Sequence, residues 1–216
     1  MNEHISKHKI IVSKTAEIIT NGRFDESTRH VWIVLHGYGQ LPEFFIKSFV
    51  GLSNTFIIAP SGLSKAYLKG FNGRVGANWM TSHEREEEIL DYNNYLNQVI
   101  KYFFLEKEKN IQINVLGFSQ GAATACRFVN QTKIKLNQIV LWGGLVPIEL
   151  MDSSEFLKNN ITIVHGTNDE FIHSKKQQFI YELDKLSTKG VKNIEYEGTH
   201  KVEHQIFREL QLKYWT

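Results

Sequence analysis

The stretch Ile111-Gln112-Ile113-Asn114-Val115-Leu116-Gly117-Phe118-Ser119-Gln120-Gly121-Ala122-Ala123-Thr124-Ala125-Cys126 decides how this chain is read. Residues 111–116 form an apolar run of strand type. Residues 121–126 are small and suit a helix packed closely on a sheet. Between them, Gly117-Phe118-Ser119-Gln120-Gly121 matches G-x-S-x-G, a strand-to-helix turn whose strained backbone projects the serine hydroxyl. Glycine is needed on both sides because larger side chains would collide across so sharp a turn. The plainer alternative is a glycine-rich turn with an incidental serine. The strand before it and the helix after it argue against that alternative.

Similar apolar runs flank this stretch: 30–35 (HVWIVL), 55–59 (TFIIA), 138–142 (QIVLW), 161–164 (ITIV) and a weaker 192–196 (KNIEY). Near-continuous apolar strands are buried on both faces, and their alternation with helical patterns predicts a mostly parallel sheet covered by helices. Residues 9–20, followed by Asn21-Gly22, predict one or two antiparallel edge strands with a turn. Thr81-Ser82-His83-Glu84 has the form of a capping box, and Ile89, Tyr92, Leu96, Val99, Ile100 and Phe103 then recur at helical spacing. Ser174-Lys175-Lys176-Gln177 opens another helix, with Phe179, Ile180, Leu183 and Leu186 inward and Gly190 near its end. A last helix from about Val202 turns Ile206, Phe207 and Leu210 inward. Residues 61–79 and 143–160 read as loops, both leaving carboxyl ends of strands, where ligands bind in open sheets of this class.

The 216 residues fit one domain, 1–216, with a substantial core. Hydrophobic residues make up 42% and charged residues 22%, which is ordinary for a globular chain. The net charge of +2 gives no electrostatic case for nucleic acid or an anionic membrane. Cys126 is the one cysteine, so an internal disulfide is excluded. The polar start MNEHISKHKI lacks the apolar core of a signal peptide, and no run reaches the roughly 18 apolar residues of a membrane span. A cytoplasmic location is the default expectation.

A serine is a weak nucleophile near neutral pH and needs a base, itself oriented by a carboxylate. The chain supplies both in the order Ser, Asp, His. Asp169 lies in HGTND (165–169), directly after an apolar run and hence on the same sheet edge as Ser119. Glu170 and Asp152 are its rivals. Asp152 lies ten residues beyond its strand and is less constrained. His200 lies in GTH (198–200), where a loop can swing an imidazole over the serine. His204 is its rival, expected one turn inside a helix. The oxyanion of acyl transfer needs backbone N–H donors. Gln120 follows the nucleophile and gives one. The loop LHGYGQ (35–40) gives the other, from Tyr38.

These segments together, LHGYG, NWM before an acidic helix, GFSQGA, HGTNDEFI and GTHKVEH, resemble the phospholipase/carboxylesterase family, which includes acyl-protein thioesterases and small bacterial carboxylesterases. The resemblance runs from about His30 to Thr216. It implies an α/β-hydrolase fold with helices on both faces of the sheet and no large lid. It implies Ser119 as nucleophile, Asp169 as acid, His200 as base, and Tyr38 and Gln120 as oxyanion donors. Trp79 matches a tryptophan near the family's active site, and Phe71 joins it as a candidate substrate contact. The implied substrate is a small ester or thioester, cleaved through an acyl-enzyme with no metal or cofactor. Peptide or lactone cleavage would use the same triad, and a binding protein on this fold would usually have lost one of its members. The chain departs from the family pattern at Ala122, where a second glycine is common, after Asp169, where the usual proline is missing, and in the composition of 61–79.

Two other motifs carry less. His200-Lys201-Val202-Glu203-His204 matches H-x-x-E-H, but only 12 residues follow, too few for the helix that brings a zinc enzyme's third ligand. Gly37-Tyr38-Gly39 lacks the third glycine of a dinucleotide loop, and Pro42 stands in its place. Cys126 is expected as a small core residue on the helix after Ser119.

Overall fold

A computed structural model describes residues 4–104, 111–174 and 176–215. Lys175, expected at the opening of a helix, lies outside the described residues, as do residues 1–3 of the polar start and Thr216.

Among the described residues, seven strands make the main sheet. They are β1 (Ile18–Asn21), β2 (His30–Leu35), β3 (Thr55–Pro60), β6 (Gln112–Phe118), β7 (Gln138–Trp142), β8 (Ile161–Gly166) and β9 (Lys192–Tyr196), in spatial order β1-β3-β2-β6-β7-β8-β9. Only β1 runs antiparallel, against β3. The other pairings are parallel. The expected runs thus become strands, several of them extended by one or two residues. The order of strands reverses between β2 and β6, so the loops leaving these two neighbours splay apart and open a crevice at their carboxyl ends.

The alternation along β2 explains why both faces are covered. Val31, Ile33 and Leu35 point into one core, Trp32 and Val34 into the other. The first core is completed by α2 (Arg85–Phe104), α3 (Gln120–Gln131) and the end of α6 (Lys176–Ser187). The second is completed by α1 (Pro42–Phe45) and α7 (His204–Tyr214). There Phe207 lies edge-on to Trp32 at 5.2 Å and to Phe49 at 4.9 Å between ring centroids. Each such side chain, fully buried, contributes about 1.5–3 kcal/mol of transfer free energy.

Five expectations change. The edge strand is four residues long and begins at Ile18. Residues 61–79 contain a hairpin, β4 (Ser64–Tyr67) against β5 (Val75–Asn78). The second long loop holds a 3-10 turn at Ile148–Leu150 and a short α4 (Ser154–Leu157) capped by Ser153. On α6, Phe179 and Leu186 are buried, but Ile180 is largely exposed and Glu182 takes the inward position. The capping box also fails. Helix α2 begins at Arg85, and Glu84 has a positive φ of 52°. Glu88, not Glu84, accepts from Thr81. Glu84 pairs instead with Lys7 and Lys9 of the arm before β1.

Candidate active site

Ser119 joins β6 to α3 with φ 54° and ψ −116°, a conformation that costs a non-glycine residue about 1–3 kcal/mol and persists only where the surroundings enforce it. The enforcement is steric. A Cβ on Gly117 would strike the carbonyl of Gly121, and a Cβ on Gly121 would stand 2.6 Å from the carbonyl oxygen of His36. The Ser119 N–H is tied 2.9 Å from the carbonyl of Trp142, the last residue of β7. The sequence expectation of a tight strand-turn-helix is therefore met in detail.

Asp169 and His200 come together although 31 residues separate them. Asp169 follows β8 and caps the short α5 (Glu170–His173). Its Oδ1 accepts from the N–H groups of Phe171 at 3.0 Å and Ile172 at 3.2 Å. Its Oδ2 lies 2.7 Å from His200 Nδ1. The carboxylate is 1% exposed, so both oxygens spend their lone pairs inside the protein. Held this way, it fixes the imidazole with Nδ1 protonated and leaves Nε2 as the basic nitrogen.

Gly143, just past β7, borders Asp169 and His200, and the adjacent Gly144 borders the Ser119 main chain. A Cβ on Gly143 would stand 3.0 Å from His200 Nδ1 and 3.3 Å from Asp169 Oδ2. A Cβ on Gly144 would stand 2.9 Å from the Ser119 carbonyl oxygen. The Phe118 ring, beside Ser119 in the chain, lies 4.8 Å from the His200 ring.

The rivals go elsewhere. Asp152 is exposed and pairs with Lys185 and Lys189. Glu170 is exposed on α5. His204 opens α7, and its Nδ1 meets the Ser48 carbonyl at 3.1 Å. The two histidines of H-x-x-E-H thus take separate partners.

The loop after β2 is fastened at nearly every donor. Gly37 N–H donates to Gln40 Oε1 at 2.8 Å, Gly39 N–H to the Ala77 carbonyl at 3.0 Å, and Gln40 N–H to the Gly37 carbonyl at 3.2 Å. The Tyr38 N–H has no acceptor among the described residues. Gln120 supplies the first N–H of α3, a donor with no intrahelical partner at the positive end of the helix. Its side chain bridges to the segment just past β5: Oε1 accepts from Trp79 N–H at 3.0 Å and Nε2 donates to the Met80 carbonyl at 2.8 Å.

Trp79 is 2% exposed, and its Nε1–H donates to the His36 carbonyl at 2.8 Å. Phe71 is at the hairpin turn, 94% exposed. His36 was not singled out from sequence, yet it braces this arrangement. Its Nε2 accepts from Gly62 N–H at 2.9 Å, so Nδ1 carries the proton and donates to the Gly37 carbonyl at 2.8 Å. Burial pushes its pKa down to about 4, against the Gly37 hydrogen bond, so it is neutral near pH 7. The LHG segment was a signal that could have drawn attention to His36. Nothing in the sequence points to the bridge from Gln120.

No helix of the described residues is long and apolar enough to cross a membrane.

A family model described as phospholipase/carboxylesterase matches residues 15–213. Among solved structures, acyl-protein thioesterase 2 of Zea mays is 19% identical, covers 91% of this chain and 96% of its own, and superposes with a TM-score of 0.63. A phospholipase/carboxylesterase of Dyadobacter fermentans is 15% identical, with coverages of 94% and 97% and a TM-score of 0.62. Esterase PE8 is 18% identical, with coverages of 90% and 98% and a TM-score of 0.57. At these identities the likeness is one of fold. Comparison with the curated proteins gives no match.

Proposed function

The chain belongs to the phospholipase/carboxylesterase family, and from that premise we propose that it is a serine hydrolase cleaving carboxylic esters or thioesters. One observation carries the reading: a buried Asp169 carboxylate 2.7 Å from His200 Nδ1, both bordering Gly143, with the strained Ser119 main chain bordering the adjacent Gly144. The expected chain order Ser, Asp, His supports it.

In the first half-reaction, His200 Nε2 removes the hydroxyl proton as Ser119 Oγ attacks the acyl carbonyl carbon. The carbonyl oxygen becomes an oxyanion held by the N–H groups of Tyr38 and Gln120. The leaving alkoxide or thiolate takes the proton from His200 and departs, leaving the acyl group on Ser119. In the second half-reaction, His200 deprotonates water, which attacks the acyl carbon. Collapse of the oxyanion releases the carboxylic acid and returns the proton to Ser119 Oγ. Asp169 stays ionised and stabilises the imidazolium formed in each step. Groups of this chain, the substrate and one water take part. A single α/β-hydrolase domain spanning 1–216 is the unit we assign this activity to.

The test is hydrolysis of p-nitrophenyl butyrate by wild type and Ser119→Ala. The variant is expected to lose about 10³-fold or more in kcat. Turnover by Ser119→Ala at the wild-type rate would contradict the mechanism. A folded wild type that hydrolyses neither oxygen nor thio esters would favour a binding protein on this fold.

A further inference from the structure

Two aromatic rings lie against the His200 imidazole. Phe118 is buried, with its centroid 4.8 Å away. Phe171 is closer, at 4.4 Å and tilted by 46°, yet it is 62% exposed. Phe171 belongs to α5, a helix of only four residues. Its ring is therefore a surface group packed against the imidazole. The same residue touches the carboxylate through its backbone, donating its N–H to Asp169 Oδ1 at 3.0 Å. Asp169 presents its other oxygen to His200. One residue thus bears on two functional groups by two independent parts: main chain on the acid, ring on the base.

The need for such a contact follows from where His200 sits. It lies in the segment between β9 and α7, with no regular structure of its own. An imidazole there has alternative rotamers, and only those that keep Nδ1 on Asp169 present Nε2 as the base. A planar ring packed against it excludes some of those alternatives. A single aromatic contact of this kind is worth enough to bias such a population several-fold.

We infer that Phe171 is a positioning residue, whose ring confines the His200 imidazole to its Asp169-bonded orientation while its amide fixes the Asp169 carboxylate. The inference rests on the reading of His200 as the base.

The test uses the full chain with Phe171→Ala, Phe171→Leu and Phe171→Tyr. Each keeps the backbone N–H on Asp169 and alters only an exposed ring, so thermal unfolding should be nearly unchanged. With p-nitrophenyl butyrate, kcat is expected to fall about 5–10-fold in the Ala and Leu variants, with KM within about twofold. Tyr, which keeps the planar ring, should stay within about twofold of wild type. In proton NMR spectra, the His200 ring C–H resonance, assigned by its absence in His200→Gln, should lose in Phe171→Ala the part of its ring-current shift that Phe171 supplies, while that from Phe118 stays. Wild-type kcat in Phe171→Ala would overturn the inference, as would rescue by Leu equal to that by Tyr, since bulk alone would then suffice. No turnover by wild type would instead overturn the hydrolase reading, and this inference with it.

Discussion

The loops that follow β7 and β8 leave neighbouring parallel strands at the same edge, and each carries an aspartate that the sequence offers as the acid. They use it differently. Asp169 is buried, caps α5 and meets His200. Asp152 has a side chain 71% exposed, and hydrogen bonds from Lys189 and then Lys185 hold its carboxyl below its ordinary 3.8. The loop after β7 contributes to the site by what it lacks, since Gly143 leaves room for His200 and Asp169. Its charged residues serve the scaffold instead. Glu149 accepts from Arg127 Nη2 at 2.7 Å and Arg85 Nη2 at 2.8 Å, tying the loop to α3 and α2. A carboxylate on the right edge is thus not enough. Under the proposed mechanism, burial and a histidine partner distinguish Asp169, assigned to chemistry, from Asp152, held in exposed ion pairs.

This contrast can be broken by mutation. The largest effect is expected from Asp169→Asn, which keeps the shape but loses the charge that stabilises the imidazolium. Its kcat on p-nitrophenyl butyrate should fall about 10³–10⁴-fold. Wild-type kcat in this variant would erase the distinction between the loops.

Gly143→Ala tests the empty role of the first loop. Its backbone has φ +57°, and the added methyl would stand 3.0 Å from the His200 ring. We expect kcat to fall about 10–100-fold, the scale of an ångström-sized displacement of a reacting group. An unchanged kcat would show that the site has slack at this point.

Glu149→Gln should act on stability and not on kcat. Burial tends to raise this carboxyl's pKa, but a hydrogen bond from its own backbone N–H, then Arg127 and Arg85, together outweigh it and hold it below its ordinary 4.5. The pairing therefore stabilises the fold at neutral pH and loses that contribution as pH falls through the depressed value. Because the side chain is 42% exposed, solvent screening limits the effect to about 1 kcal/mol in urea unfolding at pH 7. The difference from wild type should shrink in acid.

Asp152→Asn should change least, with kcat within about twofold and Tm within about 1 °C, because its ion pairs are exposed. A large loss of kcat here, with Asp169→Asn near wild type, would exchange the two assignments.

The central strands were readable because they are buried on both faces: HVWIVL (30–35) and QIVLW (138–142) match β2 and β7 end to end. The β4–β5 hairpin was not, because SKAY and VGAN have no apolar alternation and only one of the two strands is buried. Its stability comes from bonds that no local pattern encodes, such as Ala77 to Gln40 and Trp79 to the Gln120 side chain. The failed capping box has a similar cause. Glu84 fits the local rule, but Lys7 and Lys9, some 75 residues earlier, draw it away. In the candidate site, the residue types and their order could be read along the chain. The partners of His36 and the ring of Phe171 against His200 depend on segments that meet only in three dimensions.

Reaction with a fluorophosphonate, followed by mapping of the adduct by peptide mass spectrometry, tests the central claim most directly. The account predicts one adduct, on Ser119, and none after Ser119→Ala. An adduct on another residue, or ester hydrolysis by a protein that takes up no probe at Ser119, would contradict it.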